Sequence, residues 1–122
     1  MSTERAGWPA GHDLTYLGTV PSTMETARAL GQHAGRPHWV AARAQSAGQA
    51  RRGRGWASPE GTLAVTLVLR PACGPGEMAL YSFVAALALQ DALAHWLPGA
   101  ALALKWPNDV LVQGGKAAGI LL

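Results

Sequence analysis

Lys105-Trp106-Pro107-Asn108-Asp109-Val110-Leu111-Val112, continuing through Gln113-Gly114-Gly115-Lys116-Ala117-Ala118-Gly119-Ile120-Leu121-Leu122, decides how this chain is read. Both of its lysines lie in this stretch. Val110–Val112 and Ala118–Leu122 are short apolar runs, and Gln113–Lys116 joins them, with Gly114-Gly115 permitting a positive-φ turn, so a hairpin is predicted. Ala101–Lys105 reads as a further short strand before it. Strands that follow one another without a helix between them argue for a mixed sheet rather than a doubly wound parallel one.

Upstream, Glu77–Leu97 has the clearest helical period, with Leu80, Phe83, Val84 and Leu87 on one apolar face, and Pro98-Gly99 ends it. Thr62–Leu69, rich in Val, Leu and Thr, is the clearest strand, and Pro71 to Gly76 forms a connector. Gln45–Pro59 lacks apolar periodicity and reads as a long loop; His38–Ala44 before it reads as a buried strand. Leu14–Thr19 is a first strand. Ser22-Thr23-Met24-Glu25 matches a capping box that opens a helix over about residues 23–33. Residues 1–13, with Gly7, Pro9 and Gly11, form a loose leader ahead of a domain at 14–122. The predicted class is α/β of the α+β type, a mixed β-sheet with packed helices. The closing Gly-Ile-Leu-Leu reads as an apolar strand that needs a neighbour, so the sheet is expected to be incomplete or its edge covered by a dimer mate or partner chain.

The composition narrows the classes. An apolar fraction of 49% against 14% charged residues excludes a disordered chain. A net charge of +3 suits an anionic ligand and is too small to demand nucleic acid. Cys73 is the single cysteine, which rules out an internal disulfide and fits a cytoplasmic location. No signal-peptide pattern opens the chain, and runs such as Leu63–Leu69 and Phe83–Leu89 are too short for a bilayer, so no membrane is expected. His12, His33, His38 and His95 show no metal-ligand spacing, and no metal site is predicted.

Two segments carry charge chemistry. Arg51, Arg52 and Arg54 place guanidinium groups among the glycines of Gly48-Gln49-Ala50-Arg51-Arg52-Gly53-Arg54-Gly55-Trp56. Guanidinium pairs with phosphate oxygens through charge-assisted hydrogen bonds, and glycine lets a loop fold over a ligand. The same run also fits an ordinary solvated basic turn. Lys105 and Lys116 are either surface lysines or point charges that hold a carboxylate against a phosphate. Asp109 suits a turn hydrogen bond or the neighbourhood of a Mg²⁺–phosphate ligand. Neither Gly-x-x-x-x-Gly-Lys-Ser/Thr nor Gly-x-Gly-x-x-Gly occurs, so a phosphate site here is made of side chains and a loop.

Three segments, in order, resemble the catalytic domain of the biotin–protein ligases, relatives of the class II aminoacyl-tRNA synthetases in fold. They are Ser22-Thr23-Met24 opening a helix; Gln45-Ser46-Ala47-Gly48 through Arg51-Arg52-Gly53-Arg54-Gly55-Trp56-Ala57-Ser58-Pro59 to Leu69-Arg70-Pro71; and Lys105–Asp109 with Gly115-Lys116 and Ala118–Leu121. The resemblance implies a two-step reaction. Biotin and ATP, the latter with Mg²⁺, give biotinyl-AMP; a lysine of a biotin carboxyl carrier protein then takes the biotin. It also implies residue roles. Ser22, Thr23, Met24, Gln45, Gly48 and Gly119 are implied to contact biotin, together with Arg51 and Lys116, the two implied catalytic residues. Arg51, Arg52, Arg54, Trp56, Lys105 and Asn108 are implied on the nucleotide side, with Trp56 stacking near adenine.

The chain departs from the family pattern at Gln49 and Ala50, where an arginine and then a glycine are usual, and at Thr62, where Asn is common. A glycine-rich strand and a small C-terminal barrel that the family carries further on are absent from the stretch, and no helix-turn-helix precedes residue 14, so DNA is not an expected partner. The rival readings are a lipoate or octanoate ligase or transferase, an Arg/Gly nucleic-acid-binding module, and an inactive structural relative.

Overall fold

The computed structural model describes residues 7–122. They divide into two compact units, one running to Arg70 and the other from Pro71 to Leu122.

The first unit is built on three strands. β1 (Asp13–Val20) lies parallel to β2 (His38–Gln45), and β5 (Ala64–Val68) runs antiparallel to β2 on its other side. The mixed sheet predicted from the sequence is therefore present. A parallel pair requires a crossover, and helix α1 (Thr23–Gly31) supplies it. Val40, Ala41 and Ala42 of β2 are buried with Ala64 of β5 and Ala27 of α1, the inner layer of this unit. Gly31 is where α1 comes closest to the sheet: a Cβ there would stand 2.8 Å from the side chain of Val68. The Arg70 guanidinium donates to the Gly31 carbonyl and so caps the helix end. Ser22 is the N-cap; its Oγ accepts from Met24 N at 3.3 Å, one position earlier than the capping-box pattern places that bond. Of the leader expected over 1–13, residues 1–6 lie outside the described residues. Trp8 stands edge-on to Trp39, the Trp39 indole N–H donates to His12 Nδ1 at 2.8 Å, and Asp13 already belongs to β1.

The segment 45–59, expected as a long loop, contains a small hairpin instead. β3 (Gly48–Gln49) pairs with β4 (Gly55–Trp56), and a single 3₁₀ turn at Arg51–Gly53 closes the end. Strands two residues long carry no readable period, which is why the sequence did not announce them. Arg52 (φ 60) and Gly53 (φ 69) make the reversal.

The second unit sets helix α3 (Tyr81–Trp96), preceded by the short α2 (Pro75–Met78), on an antiparallel sheet of β6 (Leu102–Lys105), β7 (Asp109–Val112) and β8 (Gly115–Gly119). The helical stretch Pro75–Trp96 reaches 22 residues and is apolar enough, by length and composition, to cross a membrane, which corrects the expectation that every apolar run is too short. It nevertheless packs on β6 and β7. The face that does so is not the predicted one. Ser82, Ala86, Leu89, Gln90 and Leu93 are the less exposed positions, while Leu80, Phe83, Val84 and Leu87 are exposed. Small residues at 82 and 86 let the helix approach the sheet, and that outweighs the greasier stripe beside them.

The predicted hairpin exists with its turn one residue earlier. Gln113 (φ 52) and Gly114 (φ 79) are the central residues, a two-residue turn with both in the left-handed region. β8 accordingly begins at Gly115 and ends at Gly119, rather than spanning 118–122. Ile120 is tied down by Asn108: its N–H donates to the Asn108 carbonyl at 2.9 Å, and Asn108 Nδ2 donates to its carbonyl at 2.8 Å.

Candidate active site

In the first unit the parallel register sets Val20 opposite Gln45, so β1 and β2 end together. Ser46 N–H donates to the Val20 carbonyl at 2.9 Å and Ala47 N–H to the Pro21 carbonyl at 2.8 Å, which draws the exit of β2 beside the start of α1. This gathers Ser22, Thr23, Gln45 and Gly48, four of the implied biotin contacts, at one end of the sheet.

Their hydrogen bonds form a closed set. Gln45 Oε1 accepts from the Thr23 backbone N–H at 2.8 Å and from Thr23 Oγ1 at 3.2 Å. Thr23 Oγ1 lies 2.9 Å from Thr66 Oγ1 of β5. On the far side of the amide, Gln45 Nε2 donates to Ser58 Oγ at 3.2 Å. Ser22 and Thr23 are each 3% exposed. Burial of hydroxyls and an amide costs free energy unless each has a partner, and here the partners are one another. The result is a neutral hydrogen-bonding site, with Thr23 buried and Gln45, Ser58 and Thr66 half-buried around it.

Gly48 closes this site from below. A Cβ there would lie 2.6 Å from the Trp56 carbonyl oxygen, 3.1 Å from Gln45 Nε2 and 3.5 Å from Ser58 Oγ. Only a residue without a side chain lets β3 and β4 pair against the amide. Thr66 and Ser58 were not among the sequence-derived residues. A signal for Thr66 existed: it is the hydroxyl among Ala64, Thr66 and Val68, the positions of β5 that share a face. For Ser58 the clue is Pro59, which holds the preceding residue extended and so aims it.

The arginines stand at the tip of the small hairpin and are exposed. Ala50 N–H donates to the Arg54 carbonyl at 2.7 Å, and Arg54 Nε donates to the Arg51 carbonyl at 3.4 Å. Among the described residues, no carboxylate pairs with Arg51, Arg52 or Arg54. Trp56, in β4, is half-buried at the base of the same hairpin.

In the second unit, sheet register arranges the charges. Lys105 is directly opposite Asp109 across β6 and β7, so both side chains share a face. A bulge between Val110 and Leu111 makes Lys116, not Ala117, the partner of Leu111. That one-residue offset turns Lys116 to the face of Asp109. Lys116 Nζ stands 2.9 Å from Asp109 Oδ1, with the lysine side chain 42% and the aspartate 16% exposed. The oxygen is buried and the ammonium is not in hydrogen-bonding alignment with it, so the attraction is chiefly ionic. Both lysines of the chain therefore lie on one sheet face, on either side of a single carboxylate. Asn108 is the clamp on Ile120 described above, a structural duty the sequence did not reveal. Gly119 ends β8 opposite Asp109.

Residues 17–122 match the model of the biotin/lipoate A/B protein ligase family. The chain belongs to that family. It is 62% identical over 85 residues to the biotin–[acetyl-CoA-carboxylase] ligase of Paracoccus denitrificans, a match covering 69% of this chain and 35% of that protein. It is 34% identical over 113 residues to the bifunctional ligase/repressor BirA of Bacillus spizizenii, covering 91% of this chain and 34% of that one. Among solved structures, the biotin protein ligase of Leishmania major in complex with biotinyl-5-AMP superposes with a TM-score of 0.80 at 30% identity, over 93% of this chain and 52% of that one. The biotin protein ligase of Aquifex aeolicus with biotin and ATP gives 0.74 at 32% identity, over 88% and 45%. The chain thus spans about a third of these curated relatives and about half of these solved structures. These neighbours share the class II synthetase-like fold expected from the sequence.

Proposed function

We propose that this chain carries the biotin-activating part of a biotin–protein ligase: biotin and ATP form biotinyl-AMP and pyrophosphate, and the biotinyl group passes to a lysine of a biotin carboxyl carrier protein. The observation that carries the proposal is the Thr23–Gln45–Thr66 hydrogen-bonding site, built around the buried Thr23, at the base of an arginine hairpin, in a chain of this family. A ureido ring is a rigid, uncharged group with two N–H donors and a carbonyl. Neutral amides and hydroxyls held in fixed directions recognise such a group without the desolvation cost of burying a charge.

The first step forms a bond between a biotin carboxylate oxygen and the α-phosphorus of ATP, and pyrophosphate leaves with the electron pair of the broken P–O bond. Two anions must approach, so cations lower the barrier. Lys116 takes this role at the carboxylate–phosphate junction, its ammonium held by Asp109 on one side. Arg51 contacts the adenylate and retains it, Arg52 and Arg54 add positive charge on the phosphate side, and Trp56 gives a flat surface for adenine. Lys105 and Asn108 stand on the nucleotide side, Met24 and Gly119 beside biotin. In the second step the carrier's lysine nitrogen attacks the acyl carbon, AMP leaves, and the amine gives up a proton. Mg²⁺ enters with ATP as the counter-ion of its phosphates.

The arginine hairpin provides the test. Exposed arginines at a hairpin tip are ready trypsin sites. Biotin with ATP is expected to slow cleavage at Arg51, Arg52 and Arg54 several-fold, while lipoate with ATP leaves it unchanged. Equal cleavage with and without biotin and ATP would contradict the proposal.

A further inference from the structure

Ser58 is absent from the set of residues to which the family resemblance gives a role, yet its hydroxyl is the second anchor of the central amide, on the side away from Thr23. The Thr23 backbone N–H can only donate, so the oxygen of the Gln45 amide must be the atom 2.8 Å from it. The NH₂ group is thereby sent to the other side, where Ser58 Oγ receives it at 3.2 Å. Below, the bare Gly48 backbone leaves no slack: even a Cβ would come within 3.1 Å of that NH₂ and 3.5 Å of that hydroxyl. Ser58 is two residues past Trp56, whose pairing with Gly48 forms the base of the arginine hairpin.

We propose that Ser58 is a positioning residue for the ligand head group: by accepting from Gln45 Nε2 it locks the amide in the orientation that serves Thr23, and it ties that orientation to the exit of the arginine hairpin. This inference rests on the reading of the site as a biotin site. The hydrogen-bond directions follow from it. With Ser58 accepting, its own hydroxyl proton and the second N–H of Gln45 remain as uncommitted donors among the described residues. The site is thus donor-rich at this end, suited to a ligand carbonyl. Removing the Ser58 hydroxyl leaves the Gln45 NH₂ without its acceptor and the amide held from the Thr23 side alone, so the amide plane that faces the ligand is no longer fixed.

The test uses the whole chain with side-chain ¹⁵N-labelled glutamine, in wild type, Ser58→Ala and Ser58→Thr. Ser58→Ala is expected to move the Gln45 side-chain NH₂ resonances and the Thr23 backbone amide in the ligand-free protein. In calorimetry it should weaken biotin binding about tenfold, equivalent to about 1.4 kcal/mol, with ATP affinity and melting temperature unchanged. Ser58→Thr, which keeps the hydroxyl, should restore both signals and affinity. Unchanged Gln45 and Thr23 resonances in Ser58→Ala, or undiminished biotin affinity where the wild type binds biotin, would overturn the proposal. So would an equal loss in both variants with a lowered melting temperature, which marks packing alone. If the wild type takes up no biotin, the proposed function falls, and the ligand-free resonances by themselves decide the role of Ser58.

Discussion

The two units solve opposite problems in recognition. At the Thr23–Gln45 site everything is neutral, Thr23 is buried and its partners are half-buried, and the named side chains are bonded to one another. On the β6–β7–β8 face the groups are charged and largely exposed, with two lysines flanking one aspartate. The arginine hairpin, in the first unit, belongs in character with the second. Under the proposed function, these two chemistries suit the two ends of one ligand. An uncharged ring is selected by direction, so its site must be rigid before binding. A carboxylate meeting a phosphate is stabilised by charge, which acts over longer distances and needs less exact placement.

The contrast can be broken where it is strongest. Lys116→Gln keeps a polar chain but removes the charge. Adenylate formation should fall by about 10²–10³-fold, the range for losing one electrostatic group aimed at the reacting centre. Biotin affinity should change much less. A parallel loss of both in single-turnover assays would erase the division between a binding site and a charge site. Gln45→Leu is the mirror experiment. It leaves Thr23 and Ser58 without their partner at a cost of about 1–3 kcal/mol, so biotin should bind roughly ten- to a hundredfold more weakly in calorimetry while ATP binds as before.

Gly48→Val sharpens the comparison through stability. Its Cβ would meet the Trp56 carbonyl at 2.6 Å, and backbone cannot yield as a side-chain end can. Overpacking of this kind costs about 1–3 kcal/mol, or roughly 3–18 °C in melting temperature. An equivalent change at Gly115, whose Cβ meets only the Val112 carbonyl at an ordinary 3.6 Å, should cost much less.

The smallest effect lies at the entrance to β1. Arg36 pairs with Asp13 at 2.7 Å, and this bond holds the Asp13 carboxyl below its ordinary 3.8, against the opposing effect of desolvation. A carboxyl with a lowered native pKa favours the folded state above the ordinary value; that advantage fades as pH falls through the depressed one. Arg36→Gln should therefore slightly lower stability near neutrality and flatten its loss below pH 3.8, as read by thermal melts across an acid series.

The sequence made the longer strands legible because apolar period and turn residues coincide at Val110–Val112, Thr62–Leu69 and His38–Ala44. It also showed both charged segments, since arginine among glycines and lysine beside a hairpin are visible without coordinates. What stayed hidden depended on partners distant in sequence. Helix α3 turned its Ser82–Ala86–Leu89–Leu93 side to the sheet because closeness of approach at the small residues outweighed hydrophobicity. The turn settled on Gln113-Gly114 because strand register with β6 outweighed the Gly-Gly signal. Ser58 and Thr66 became site residues only once the fold carried them to Gln45, 13 residues from one and 21 from the other.

The central claim is that this neutral site and these cations together activate biotin. The direct measurement is incubation of the purified chain with biotin and ATP labelled at the α-phosphate, followed by separation of the nucleotides. The account predicts labelled biotinyl-AMP that depends on biotin, is reduced at least a hundredfold by Lys116→Gln, and is recovered in Gln45→Leu when biotin is raised to saturation. A wild-type chain that binds biotin and ATP yet forms no adenylate, or one whose adenylate yield is indifferent to Lys116, would contradict it.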